Sequence, residues 1–293
     1  MGNIENKKIK VIITGAKGML GRSLARVFSG ENYDLILWDR EQIDIADGEM
    51  VAKMIEGERP QLVINAVGHN AVDKIEEDEV TFELAKKVNG EGPLNLALAC
   101  KKTDAVLVHF VSDYIFDGEK GEYVETDLPS PISRYGETKL LGEQNVANNC
   151  DAHYLIRISK LFGLPAISEG AKKSFFETML ELAKTNASLK VVDAEFSCFT
   201  YSKDLAVAVK KLWEEKFPFG IYHLVNEGPE TWRTALEKVF AIAGIGDVEI
   251  IPVSSDTFPR SAKRPASSVL SNTKFPKLRN WECAAKEWLA ERM

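Results

Sequence analysis

The sequence predicts an α/β fold: a doubly wound parallel sheet of the Rossmann type with a smaller C-terminal substrate-binding lobe. Three observations predict it. Short apolar runs alternate with helical stretches through the first half of the chain. Those runs are almost continuously apolar, as in strands covered on both faces. The first of them ends in three spaced glycines that open a helix.

The elements follow in order. KIKVIIT (8–14) reads as a buried strand and GMLGRSLARVFSG (18–30) as the helix after it. DLILWD (34–39) is the second strand, and ADGEMVAKMIEG (46–57) a helix closed by Gly57 and Pro60. QLVINAV (61–67) is the third strand, followed by one long helical region over 78–101. DAVLVHFVS (104–112), a helix over 131–149 and HYLIRIS (153–159) continue the alternation. Further on, 173–185 and 202–216 read as helices and 220–225 as a late strand. The stretch 226–277, rich in Pro, Ser and basic residues, reads as a lobe beside the sheet. The expected organisation is a dinucleotide-binding core over 8–159, with 187–225 returning to it. The lobe takes 160–186 and 226–280, and 281–293 forms a terminal amphipathic helix.

Composition narrows the function classes. The chain has 293 residues, 45% hydrophobic and 28% charged, with a net charge of −7. Such a chain has no general field for nucleic acid or an anionic membrane, so an anionic ligand must meet local positive groups. No stretch is apolar for long enough to span a bilayer. The start, MGNIENKK, has no apolar signal core, and Asn6 stands where a myristoylation signal wants Ser or Thr. A cytoplasmic location is expected. The four cysteines (100, 150, 198, 283) form no CxxC pair, and the four histidines (69, 109, 153, 223) no HxxxH pair. Buried thiols and no metal site are expected.

The glycines Gly15, Gly18 and Gly21 make GxxGxxG. Gly15 permits a tight turn, Gly18 lets backbone approach a pyrophosphate, and Gly21 lets the helix sit close to the sheet. The anion would lie at the helix N-terminus. Asp39, at the end of the second strand, can accept from a ribose hydroxyl and so favours NADH. Arg40 can neutralise a 2′-phosphate and so favours NADPH. Both cofactors stay open.

Ser112, Tyr135 and Lys139 carry the chemistry. YxxxK on a helix puts both side chains on one face. A phenol gives up its proton reluctantly at neutral pH, and a nearby ammonium eases that loss. Ser112 ends the fourth strand, where it can hydrogen-bond a carbonyl oxygen beside the tyrosine.

With these pieces placed, the sequence resembles the dTDP-4-dehydrorhamnose reductase family along nearly its whole length. The resemblance is carried by VIITGAKGMLG, VINAVGHNAVDKIEE, KVNGEGPLNLA, VHFVSDYIFDGEKGEYVETDLPSPISRYGETKLLGE, IRISKLFG, GIYHLVNEG and SAKRPASSVL. It implies NADPH- or NADH-dependent reduction of the 4-keto group of a nucleotide-activated sugar, with Tyr135 as proton donor and Lys139 as its partner. By the same resemblance Gly18, Met19 and Leu20 line the pyrophosphate, and Asp44 with Ile45 meets the adenine. Ala66, Val67 and Gly68 pass beneath the cofactor, while Ser112 and Asp113 face the sugar. Some members of the family dimerise, so a homodimer is compatible with it.

Departures from the family pattern gather on the substrate side. Lys160 in RISK stands where the family usually has Trp, either reaching into the pocket or snorkelling to solvent. Asn70 replaces a usual Thr and Ser174 a usual Asn, and EFSCFT (195–200) replaces a stretch like QFGxPT. Arg260, Lys263 and Arg264 are local positive groups for a diphosphate. Two other readings are a non-catalytic regulatory subunit, like the β subunit of methionine adenosyltransferase, and a sugar-nucleotide epimerase or dehydratase. Cys198 would be the extra acid/base of an epimerase. Tyr114 stands where a dehydratase would carry a second acid.

Overall fold

The structure, a computed structural model, describes residues 8–168 and 171–292. The chain opens with β1 (Ile9–Thr14), α1 (Met19–Val27), β2 (Tyr33–Trp38), α2 (Gly48–Glu58) and β3 (Leu62–Asn65). The next strand is reached through α3 (Val72–Glu77), α4 (Glu79–Lys86), a π-helical turn (Lys87–Glu91) and α5 (Gly92–Thr103). β4 (Val106–Ser112), the short β5 (Glu122–Tyr123), α6 (Arg134–Asn149) and β6 (His153–Ile158) complete the first half.

Six strands form one parallel sheet, ordered β2-β1-β3-β4-β6 with one late strand, Gly220–His223, beyond β6. Helices cover both faces, and β1, β3 and β4 are almost wholly buried. The strand order reverses between β1 and β3, and ligands bind such sheets at the carboxyl ends of the strands beside that reversal. A polar row runs across those ends. Thr14, Asn65 and His109 are register partners. Asn65 Oδ1 accepts from the Thr14 hydroxyl at 2.9 Å, and Asn65 Nδ2 lies 3.1 Å from His109 Nδ1.

The remaining elements are β7 (Leu161–Phe162), α7 (Phe175–Leu182), β8 (Ser188–Val192), β9 (Thr200–Tyr201), α8 (Ser202–Glu214) and β10 (Gly220–His223). After them come β11 (Asn226–Glu227), α9 (Trp232–Ala243), β12 (Glu249–Val253), β13 (Val269–Leu270), β14 (Leu278–Asn280) and α10 (Trp281–Ala290). The lobe has its own aromatic core. Phe162, Phe176, Phe199, Trp281 and Trp288 pack together, and the Trp288 indole donates to the Gly163 carbonyl at 2.9 Å.

Two expectations gain detail and two are corrected. The helical region expected over 78–101 is present as one continuous run, Glu79–Thr103, widened by the π turn where α6 packs against it. A Cβ on Gly142 would come 2.1 Å from the Asn89 carbonyl oxygen. The segment 187–225 does not return to the core as one piece: β8 pairs with β12 outside the main sheet, and α8 and β10 make the return. The stretch 226–277 holds a full helix, α9, capped by Thr231 and Thr234 and closed by Gly244 in the left-handed conformation. Finally, the end of 226–280 rejoins the core. β13 pairs with β5, and Val269, Leu270 and Phe275 are buried in the two main core clusters. Residues 169, 170 and 293 of the expected lobe and terminal helix lie outside the described residues.

Candidate active site

The glycine turn is built on close backbone contact. Gly15 sits at φ +70°, and a Cβ on it would lie 2.9 Å from the Ala66 carbonyl at the end of β3. Gly21 is tighter still, since its Cβ would come 2.1 Å from the carbonyl oxygen of Gly15. Gly18 caps α1 without a side-chain hydrogen bond, and no acid stands in the first turn. The N–H groups of Met19, Leu20 and Gly21 therefore sit unneutralised at the positive end of the helix. Leu20 buries its side chain in the core, so its backbone is what it offers. This cradle fits a dinucleotide pyrophosphate.

Asp39 is pinned beside the turn. Its Oδ2 accepts the Lys17 N–H and its Oδ1 the Arg40 N–H, both at 2.9 Å. The Arg40 side chain is exposed. Asp44 Oδ1 accepts the Ala46 N–H at 3.0 Å. Ile45 turns its side chain into the core against Gly92, so any adenine contact it makes runs through its backbone. On the opposite side, the Val67 N–H donates to Asn65 Oδ1 at 3.1 Å. Gly68 is exposed, and a Cβ on it would stand 3.9 Å from Lys139 Nζ. The floor of the turn thus leads to the lysine.

Tyr135 and Lys139 lie on one face of α6. Ser133 caps that helix through the Gly136 N–H, and Gly136 is so close to the end of β4 that a Cβ would come 2.2 Å from the Tyr114 carbonyl oxygen. Both side chains are buried, at 8% and 5% exposure. Lys139 Nζ donates to the Phe110 carbonyl at 2.7 Å, and burial lowers its pKa to about 8. Burial pushes the Tyr135 phenol up to about 12, against a lowering by its hydrogen bond with Ser112 and with a further rise from the Asp113 charge. The phenol stays protonated at neutral pH, the state a proton donor needs.

Asp113, expected to face the sugar, is turned away from open space. It is 3% exposed and gathers the hydroxyls of Ser112 (3.2 Å), Ser159 (2.7 Å) and Ser268 (2.5 Å). Burial raises its pKa against those hydrogen bonds. It braces Ser112 from behind.

The cationic groups on the substrate side behave differently from one another. Arg264 is engaged in a bidentate pair with Asp73 (2.5 and 2.7 Å), and Arg260 pairs with the buried Glu195. Lys263 is exposed. Lys160 does not snorkel. At φ +25°, its ammonium sits 3.7 Å from the centre of the Trp232 ring and 5.0 Å from that of Phe199. Its single hydrogen bond among the described residues is a long one, 3.4 Å to the Glu195 carbonyl. Burial lowers its pKa to about 7, opposed by the charges of Asp113 and Glu195. Cys198 is a buried thiol whose pKa burial raises to about 12, which suits it poorly as an acid/base. Ser174 caps α7 through the Glu177 N–H at 3.2 Å.

The sequence does not single out Asn89 or Trp232, and it marks Glu195 only as the first residue of the departing stretch 195–200. Asn89, in the π turn, accepts the His69 N–H (2.8 Å) and donates to the His69 carbonyl (3.1 Å) and the Thr138 hydroxyl (3.0 Å). The Asn-Gly pair inside an apolar helical pattern was the available signal. Glu195 and Trp232 meet only in space, through the indole N–H at 3.0 Å.

A parallel sheet with a glycine cradle at its switch point and a Ser–Tyr–Lys group at the strand ends defines an NAD(P)-dependent oxidoreductase of the short-chain type. The model of the RmlD substrate binding domain matches residues 9–293, and the chain belongs to that family. It is 33% identical to a dTDP-4-dehydrorhamnose reductase of Burkholderia thailandensis, over 90% of this chain and 91% of that one. It is equally similar to the spore coat polysaccharide biosynthesis protein SpsK of Bacillus subtilis, over 97% and 98%. Among solved structures, a dTDP-4-dehydrorhamnose reductase of Clostridium acetobutylicum superposes with a TM-score of 0.90 at 37% identity, over 97% of this chain and all of that one. A reductase of Bacillus anthracis in complex with NADP gives a TM-score of 0.90 at 31% identity, over 97% and 99%. No helix among the described residues is long and apolar enough to cross a membrane.

Proposed function

We propose that this chain reduces the 4-keto group of dTDP-4-dehydrorhamnose to give dTDP-L-rhamnose, with NADPH or NADH, in the cytoplasm. The observation that carries the proposal is the placement of Ser112, Tyr135 and Lys139 together at the strand ends, with the glycine cradle leading to Lys139. The regulatory-subunit reading needs none of these groups. The epimerase reading is disfavoured by the burial of Cys198, whose thiol is 2% exposed and donates to the Leu270 carbonyl.

A nicotinamide cofactor held by the Gly15–Gly21 cradle would supply a hydride for the carbonyl carbon. Ser112, braced by Asp113, orients the carbonyl oxygen toward Tyr135. Tyr135 gives its proton to that oxygen, and the Lys139 ammonium stabilises the phenolate left behind. Lys160 meets an anionic oxygen of the substrate, because a buried ammonium with one long hydrogen bond has donors to spare. Arg260 and Arg264, already paired, shape the pocket rather than bind the diphosphate directly.

The test is NADPH oxidation with enzymatically prepared dTDP-4-dehydrorhamnose, followed by identification of the sugar formed. Turnover to dTDP-L-rhamnose is expected. Binding of dTDP-sugar without any cofactor oxidation would overturn the reading.

A further inference from the structure

Asn70 stands at the mouth of the site, in a segment whose shape is set from two sides. The backbone of the preceding residue, His69, is held on both its N–H and its carbonyl by Asn89. Asn89 also reaches the Thr138 hydroxyl, one residue before Lys139 on α6. The loop 68–70 is thereby tied to the catalytic helix. Within it the Asn70 carboxamide lies back over Gly68, whose Cβ position is 3.3 Å from Asn70 Oδ1 and 3.9 Å from Lys139 Nζ. From there Oδ1 faces the phenol: Tyr135 donates its hydroxyl hydrogen to Asn70 Oδ1 at 3.4 Å. The contact is long, as catalytic hydrogen bonds are before a ligand tightens the site.

We propose that Asn70 is a positioning residue for the proton donor, its carboxamide oxygen fixing the direction of the Tyr135 hydroxyl in the substrate-free enzyme. A buried phenol can otherwise turn its hydrogen about the C–O bond. Ser112 gives its own hydrogen to Asp113 at 3.2 Å, and its oxygen already accepts the Tyr114 N–H at 3.2 Å. Asn70 Oδ1 can only accept, so it selects one of the phenol's orientations: hydrogen outward, toward the mouth of the site. Asn70 is exposed, and its amide Nδ2 makes no hydrogen bond to a described residue. An arriving carbonyl oxygen can take the phenol hydrogen from Oδ1 and receive an N–H from Nδ2. The inference rests on Tyr135 being the proton donor.

The test uses protein carrying 13C at the tyrosine ζ position, whose resonance responds to hydrogen bonding of the hydroxyl. The chain has seven tyrosines, and Tyr135→Phe assigns the resonance of interest. Asn70→Leu is expected to move the Tyr135 resonance and leave that of Tyr114, packed edge-on at 5.8 Å, in place. It should lower kcat about tenfold, the loss of one hydrogen bond to the reacting group, with Kd for NADP unchanged. Asn70→Thr, which keeps an acceptor on a shorter arm, should recover part of that loss. An unmoved Tyr135 resonance, or equal movement of Tyr114, overturns the inference, as does an unchanged kcat. Full turnover in Tyr135→Phe would instead overturn the reading of Tyr135 as donor.

Discussion

Replacing Lys160 with methionine keeps the length of the side chain and removes its charge. A lysine ordinarily titrates near 10.5, and burial among Trp232, Phe199 and Phe175 brings Lys160 to about 7. At 1.36 kcal/mol per pH unit, carrying that ammonium costs the folded chain at most about 4–5 kcal/mol below pH 7. Attraction to the two ring faces offsets part of it, leaving about 2 kcal/mol. The sign is that of a lowered lysine pKa. The penalty is full below the folded value near 7 and fades as pH rises toward 10.5. Lys160→Met is therefore expected to be more stable than wild type by about 2 kcal/mol at pH 6.5 in urea unfolding, with the gap closing by pH 10. The same substitution should raise KM for the nucleotide sugar by about tenfold, the loss of one charge-assisted contact. Stability gained with substrate affinity lost would show a group held for its ligand. If neither changes, Lys160 is not a buried cation in the working enzyme. Lys160→Trp is the poorer probe, because a second indole beside Trp232 would overpack the recess at a cost of about 1–3 kcal/mol.

Tyr135→Phe should lose about 10²–10⁴-fold in turnover with cofactor affinity kept, measured by single-turnover NADPH oxidation and by titration of the cofactor. Near wild-type turnover would remove Tyr135 from the mechanism. Because Asp39 and Arg40 pull in opposite directions, kcat/KM for NADH and NADPH should lie within about 1.4 kcal/mol of each other. A hundredfold preference would show that one of the two side chains points away from the ribose. Gly21→Ala would place a Cβ 2.1 Å from the Gly15 carbonyl oxygen, so calorimetry should show weakened NADP binding together with a lowered Tm. An unchanged cofactor Kd would mean that the turn can widen freely.

The core alternation and the cofactor side were legible because their signals are local. A strand buried on both faces must be an apolar run, as Val11–Ile13 is. The turn beyond it needs glycine wherever backbone meets backbone, and a donor–ammonium pair needs one helix face. Each of these signals spans only a few residues, so the sequence alone determined the parallel sheet and could offer the glycine cradle and the Tyr135–Lys139 pair as expectations. The substrate side depends on partners far apart in the chain. Lys160 could be read as solvated or bound, and only its placement on Trp232, 72 residues later, decided it. Asp113 read as a sugar ligand until Ser159 and Ser268 arrived from other segments to claim its carboxylate. Arg264 looked free until the fold brought it to Asp73, 191 residues away. Burial and pairing of charge are properties of the assembled packing, and no local pattern encodes which distant group will fill a given lone pair.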